Sequence, residues 1–374
     1  MGNYKFAKED TLSVKAIAVM LMLVHHLFAF PDKLTDGAMF SNLYIFESGQ
    51  TLEGLMGNFG KLCVALFMML SGYGMYCSYN NSKPENETLM SNLIIKRIKN
   101  AYIKYWQILV LFLPIGLILG VEKITGEPID WIKNFLAIDT TFNNEAWFLT
   151  IWLMILCFFP LLIRWFERKH SGPWSDAIWL LLFNTMVYTV IPSIVEKSQY
   201  AESLRGTYYY QKLIVVLGML PMFMAGSYLA KYDIIGLIRN KISYGYVAKF
   251  IGIIIIAVTF MLRQNWAMRT NWGWDRLDFI YASTFCIGVA LIIDGLKYVK
   301  KGLAFIGGQA TGIWLIHSFF CYYYCQNLIY APKNPILIFV FLLALSTLAS
   351  WGLNFMYSLV WQFVKPIFVK DDKE

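Results

Sequence analysis

Charge is scarce in this sequence. Asp, Glu, Lys and Arg make up only 15% of its 374 residues, while 58% are hydrophobic and the mean hydropathy is +0.51. Soluble proteins carry about 25% charged residues. The shortfall excludes an ordinary soluble enzyme, because too little polar surface remains to cover a core of this size. It equally excludes a disordered or nucleic-acid-binding tail protein. Histidine is rarer still, with four residues. The six cysteines, at 63, 77, 157, 286, 321 and 325, all fall inside apolar stretches and form no disulfide framework. Cys321 and Cys325 share a helical face, but two thiols alone make no metal site, and no metal is expected. Period-two alternation is missing, which removes the β-barrel solution. Internal repeats, coiled coils and long linkers are missing too. The start MGNYKF has Phe6 where a myristoylation signal needs Ser or Thr. The first apolar run is too long for a cleavable signal peptide and lacks a small-residue cleavage site.

What is there is a series of continuous apolar runs, at 12–31, 59–80, 102–120, 147–167, 175–195, 211–230, 244–263, 276–296, 302–327 and 335–362. Each is long enough to cross a hydrocarbon core of about 30 Å as a helix. Lipid leaves no other way to satisfy the backbone of such runs. The expected fold is therefore all-α: a polytopic integral membrane bundle of about ten transmembrane helices. A single domain over 1–374, with no extra soluble domain, is expected. With the N-terminus in the cytoplasm, 21 of the 32 Lys and Arg fall on the inner side. The opposite orientation inverts this bias, so both termini are expected to be cytoplasmic. The formal charge of +8 then reflects topology and does not call for a nucleic-acid partner. The N-x-[ST] matches at Asn80 and Asn86 face the cytoplasm and are not read as glycosylation sites.

An ionisable residue inside a span is a functional candidate, because burying a charge there costs at least about 2.5–3.5 kcal/mol. Three of the histidines lie in spans: His25 and His26 in the first, His317 in the ninth. His25 and His26 point about 100° apart, so only one is expected to face the bundle easily. His26 and His317 lie at similar depth, in the outer half of the membrane. Lys15 opens the first span about 16 Å below His26, at 1.5 Å per residue. The basic stretch IIKRIKNAYIKYW holds Lys96, Arg97, Lys99 and Lys104. It suits either an anchor to lipid headgroups or a cytoplasmic site for a phosphate-rich ligand. LFMMLSGYGMY places Ser71 and Gly72 mid-membrane, where small residues allow close helix packing or line a tunnel. A nucleophilic Ser71 has no G-x-S-x-G context to support it. RQNWAMRTNWGWDRLDF carries Trp266, Trp272 and Trp274 with Arg269, Asn271, Asp275 and Arg276. It reads either as an interfacial aromatic belt or as a surface for sugar stacking. NNEAWFL sets Glu145 and Trp147 at the entry to the fourth span. Glu145 could orient an imidazole or a hydroxyl there, or simply begin a helix.

Together these pieces resemble the membrane acyltransferase-3 family, which O-acylates carbohydrates and other acceptors at bacterial surfaces. The resemblance covers nearly the whole chain and rests on four motifs. KAIAVMLMLVHH matches the family's basic residue, ten residues, then His, through Lys15 and His26. Phe67 to Tyr73 match its Phe-rich Ser-Gly-aromatic stretch. Trp314, Leu315, Ile316 and His317 match a late aromatic-Leu-x-His. The Arg-x-x-Arg motif of the third helix is incomplete: Arg97 is present, but Asn100 holds the partner position, leaving Lys96 or Lys99 as substitutes. The resemblance implies an acyl-coenzyme A donor, acetyl by default, entering from the cytoplasm and not bound permanently. Lys15, Lys96, Arg97, Lys99 and Ser71 would bind it. His26 would act as general base or as an acyl relay, helped by His317 and Glu145. Trp147, Trp272, Trp274 and Arg269 would meet a surface or lipid-linked glycan acceptor on the outer side. Membrane lipid is the other expected partner, and the bacterial cytoplasmic membrane the expected location.

Two other classes fit the composition. A transporter or flippase of lipid-linked sugars would show an inverted repeat and helices broken near the midplane; Pro221 in the sixth run is the one hint of this. A structural or regulatory membrane protein leaves Lys15 and the intramembrane histidines unexplained.

Overall fold

The computed structural model describes residues 4–35, 37–82, 87–168, 172–270 and 273–368, with side chains for all of these but 87–89, 361 and 363–368. The described residues form seventeen α-helices and no strand beyond two isolated bridges. In chain order these are α1 (Lys8–Phe28), α2 (Leu52–Gly60), α3 (Leu62–Ser82), α4 (Glu87–Ile118), α5 (Pro128–Phe135), α6 (Trp147–Phe166), α7 (Pro173–Thr185), α8 (Ile191–Glu196) and α9 (Ala201–Arg205). They continue as α10 (Tyr208–Lys231), α11 (Ile234–Asn240), α12 (Gly245–Asn265), α13 (Asp278–Ile293), α14 (Lys297–Gly308), α15 (Ala310–Ser318), α16 (Gln326–Tyr330) and α17 (Pro335–Phe368). Wide π-helical turns at Met186–Val190 and Phe319–Tyr324 join α7 to α8 and follow α15. The chain is an all-α polytopic membrane bundle.

Every expected apolar run is helical, but the runs differ in how they meet the length of a bilayer. Among the described residues, eight stretches are long and apolar enough to cross. The ninth run is bent by 56° between α14 and α15. The eighth shrinks to α13, 16 residues long, because Asp278 is pinned at its start and Gly295, at φ +74°, follows its end. The third run starts earlier than its hydropathy suggests. The basic IIKRIKN stretch continues the same helix as the apolar residues after it, in α4. Pro221 does not break α10.

α1 is the hub. It packs on α2, α3, α14 and α15, with further contacts to α13 and α17. α3 packs closely along α10, and glycine sets that distance. A Cβ on Gly72 would stand 1.9 Å from the Phe223 carbonyl oxygen, and one on Gly226 would stand 1.8 Å from that of Met69. Ser227 Oγ crosses the same seam to the Gly72 carbonyl at 3.1 Å. Gly72 therefore serves helix approach, as small residues do in lipid. α12 and α13 are joined by a bidentate ion pair. Arg263 Nε and Nη2 donate to Asp278 Oδ1 and Oδ2 at 2.7 and 3.1 Å, with both side chains wholly buried. Arg263 Nη1 also donates to the carbonyls of Asn58 and Phe59, fixing the end of α2.

Removing one partner of a buried pair strands the other charge, at about 3–5 kcal/mol. Asp278→Asn should lower stability by that amount in reversible unfolding from mixed micelles. A variant as stable as the parent would show the pair to be energetically idle.

Candidate active site

A cavity of about 620 Å3 runs beside α1. Its floor is polar and cationic. Lys15 from α1, Arg97 and Lys104 from α4, and Asn354 from α17 line it there. Arg97 Nη2 donates to the Gly74 carbonyl and Ser78 Oγ, each at 2.8 Å, and Lys104 Nζ donates to Asn354 Oδ1 at 2.6 Å. Arg97, Asn100, Ala101 and Lys104 share one face of α4, as a spacing of three, four and seven residues requires. Lys96 and Lys99 lie off that face, exposed, and do not line the cavity. Lys104, not either of them, joins Arg97. Ser71 lines the wall, where its Oγ accepts from Trp152 Nε1 at 2.6 Å.

At the other end stand His25, His26, Lys61, Glu145 and Trp147. The rings of His26 and His317 are 4.8 Å apart, so the two histidines of matching depth do meet. His317 is fully buried and stands behind His26, not on the cavity wall. His25 also lies inside, its ring 5.3 Å from that of His26. The expectation that only one of the pair could face inward fails because α1 is enclosed on several sides, and α2 covers the face that His25 uses.

Hydrogen bonds fix the tautomers. The Tyr322 hydroxyl has one proton and donates it to the His26 carbonyl at 2.6 Å. Its oxygen can then only accept, so the 3.2 Å contact with His26 Nδ1 requires a proton on Nδ1. His317 Nδ1 likewise donates to the Trp314 carbonyl at 2.6 Å, and His25 Nδ1 to that of Gly57 at 2.8 Å. Each neutral ring therefore keeps its lone pair on Nε2. The π-helical turn after α15 sets neighbouring tyrosines to separate tasks. Tyr322 holds His26, while Tyr323 donates to Glu145 Oε2 at 2.7 Å and accepts from Lys123 at 3.0 Å. Lys33 stands 3.8 Å from Glu145 Oε1.

A second cavity, of about 680 Å3, opens beyond α2 and shares His25 and Lys61 with the first. Arg269 lines it. Trp147 lines the first cavity, with the Lys61 ammonium 5.9 Å over its ring. Trp274 lines neither. It is 2% exposed, stacked on Trp147 at 6.4 Å, and donates to Tyr188 Oη at 3.0 Å. The loop carrying it folds back as a hairpin, with Arg269 bridged to Asp275, and this turns the indole inward. Trp272 and Asn271 lie outside the described residues. Sequence reasoning missed Lys61, Tyr322 and Tyr323. Lys61 was within reach, as an ionisable residue at the mouth of the second run. Nothing in FFCYYY distinguishes one tyrosine from the next.

A family model described as an acyltransferase domain matches residues 13–355. No curated protein and no solved structure matches the chain.

The two cavities predict opposite accessibility. With the native cysteines replaced, Asn354→Cys and Arg269→Cys should react with an impermeant maleimide from opposite faces of sealed vesicles. Labelling of both from one face would contradict the two-sided arrangement.

Proposed function

The chain belongs to the acyltransferase-3 family, and from that premise we propose that it moves an acyl group, acetyl by default, from cytoplasmic acyl-coenzyme A to a hydroxyl of a carbohydrate on the other side of the membrane. That the protein is a multi-pass membrane acyltransferase follows from the match over residues 13–355 and the apolar helices. The observation that supports the finer reading is the His26 ring. Its Nδ1 proton is held by Tyr322, and it stands in the cavity whose far end carries Lys15, Arg97 and Lys104. These cations suit the phosphates of coenzyme A, and the depth between them and His26 suits its pantetheine arm.

In the proposed reaction the acceptor hydroxyl gives its proton to His26 Nε2 as its oxygen attacks the thioester carbonyl carbon. The new ester C–O bond forms and the C–S bond breaks. Coenzyme A leaves with the proton returned from the imidazolium, as a thiol. Imidazole suits both transfers because its unperturbed pKa is about 6.5. His317 and Tyr322 act as positioning residues for His26. Glu145 is oriented by the Tyr323 hydroxyl, which Lys123 supports, with Lys33 nearby; in this reading it presents an ordered carboxylate to the acceptor beside Trp147. The same reading places both termini in the cytoplasm and the chain in a bacterial cytoplasmic membrane.

Transfer of labelled acetyl from acetyl-coenzyme A in membranes carrying the protein tests this directly. His26→Ala should lower transfer by about 10²–10⁴-fold at equal expression, the range of a general base. Tyr322→Phe frees the tautomer and should lower kcat by about tenfold, with little change in KM for acetyl-coenzyme A. Equal labelling by the parent and His26→Ala would remove His26 from the mechanism.

A further inference from the structure

The outer cavity has a chemical bias that the acyl-transfer reading does not require. Lys61 and Arg269 line it, and no carboxylate does. Among the described residues neither cation has a carboxylate within 4.0 Å. Arg269 spends Nη2 on neutral groups, the Gln264 amide oxygen at 3.0 Å and the Arg263 carbonyl at 3.4 Å. The nearby acids are engaged elsewhere. Asp278 is held by Arg263, and Asp275 accepts from the backbone of Leu277 and Met268. His25 adds an independent sign of a ligand. It lines both cavities and is only 6% exposed, yet its Nε2 has no partner.

Two cations lining one cavity with no carboxylate in contact make an anion site. Lys61 marks where that site meets the chemistry, since it lines the cavity of His26 as well. It follows α2 and precedes α3 directly, so backbone on both sides holds its position. We propose that the outer cavity binds an anionic sugar, one carrying a carboxylate or a phosphate. Lys61 and Arg269 grip the charge, and the unpaired His25 ring accepts a hydrogen bond from a sugar hydroxyl. This rests on the acyl-transfer reading for the identity of the inner cavity and adds the class of the acceptor. The anchored charge leaves the rest of the sugar ring to extend toward His26. Lys61 and Arg269 then act as specificity-determining residues.

Calorimetry on the full-length protein in lipid nanodiscs tests this with methyl β-glucuronide, methyl β-glucoside and glucose 1-phosphate, alongside acetyl-coenzyme A. The parent should bind the glucuronide or the phosphate at least about tenfold more tightly than the neutral glucoside, the scale of a hydrogen bond to a charged group. The tighter of the two anions names the charged group. The preference should shrink in high salt. Lys61→Gln and Arg269→Gln should each erase most of it, and Lys61→Arg should retain it. Equal binding of all three sugars by the parent would overturn the proposal, and so would no binding of either anion or a preference that survives both glutamine substitutions. The parent measurements need no variant to fold. Anion binding without acetyl-coenzyme A binding would sink the donor reading and leave this one standing. The reverse would sink only this one.

Discussion

Desolvation governs this structure. A charge or an unpaired polar ring in hydrocarbon is costly, by about 2.5–3.5 kcal/mol or more at mid-membrane. α1 nevertheless carries Lys15, His25 and His26 along one span. The bundle meets that cost by keeping α1 away from lipid, behind α2, α3, α14, α15 and their neighbours. Polar side chains of α1 then face either a partner or the cavity. Asp10 pairs with Lys300, Ser13 bonds the carbonyls of Glu9 and Lys300, and the histidines use Tyr322 and Gly57. The scarcity of charge elsewhere is the other side of the same constraint. α7 and α12 are the least enclosed spans and carry the lipid-facing apolar surface.

Much of this was legible because it follows from rules of composition. Unbroken apolar runs mean helices in lipid, and the helical rise puts His26 and His317 at one level. The spacing of Lys15 to His26 carries the resemblance to the family. Facing was harder to read. Lys96, Lys99 and Lys104 look equivalent in a basic stretch, and only the helix angle from Arg97 selects Lys104. Trp274 looks like an exposed stacking surface until its loop is seen to close as a hairpin. Tyr322 and Tyr323 depend on a π-helical turn, whose extra residue per turn shifts every side chain after it. Sequence periodicity does not encode that shift.

The bend at Gln309 fits two classes, since discontinuous helices near substrate also occur in transporters. Here the bend is part of the cavity. Gly307, Gly308, Ala310, Thr311 and Gly312 all line it, so the break exposes backbone where the cavity needs width. The acyltransferase family match decides which reading applies to the chain.

The Arg263–Asp278 pair also bears on how the protein is made. Its partners are 15 residues apart, at the end of one helix and the start of the next. At about 5–20 residues per second, synthesis delivers the aspartate within about 1–3 s of the arginine. The guanidinium therefore meets its counter-charge within a single helical hairpin, built from α12 and α13 alone. Insertion of α12 then does not wait on the completed bundle. A wholly buried charge is neutralised locally, by the next segment to leave the ribosome.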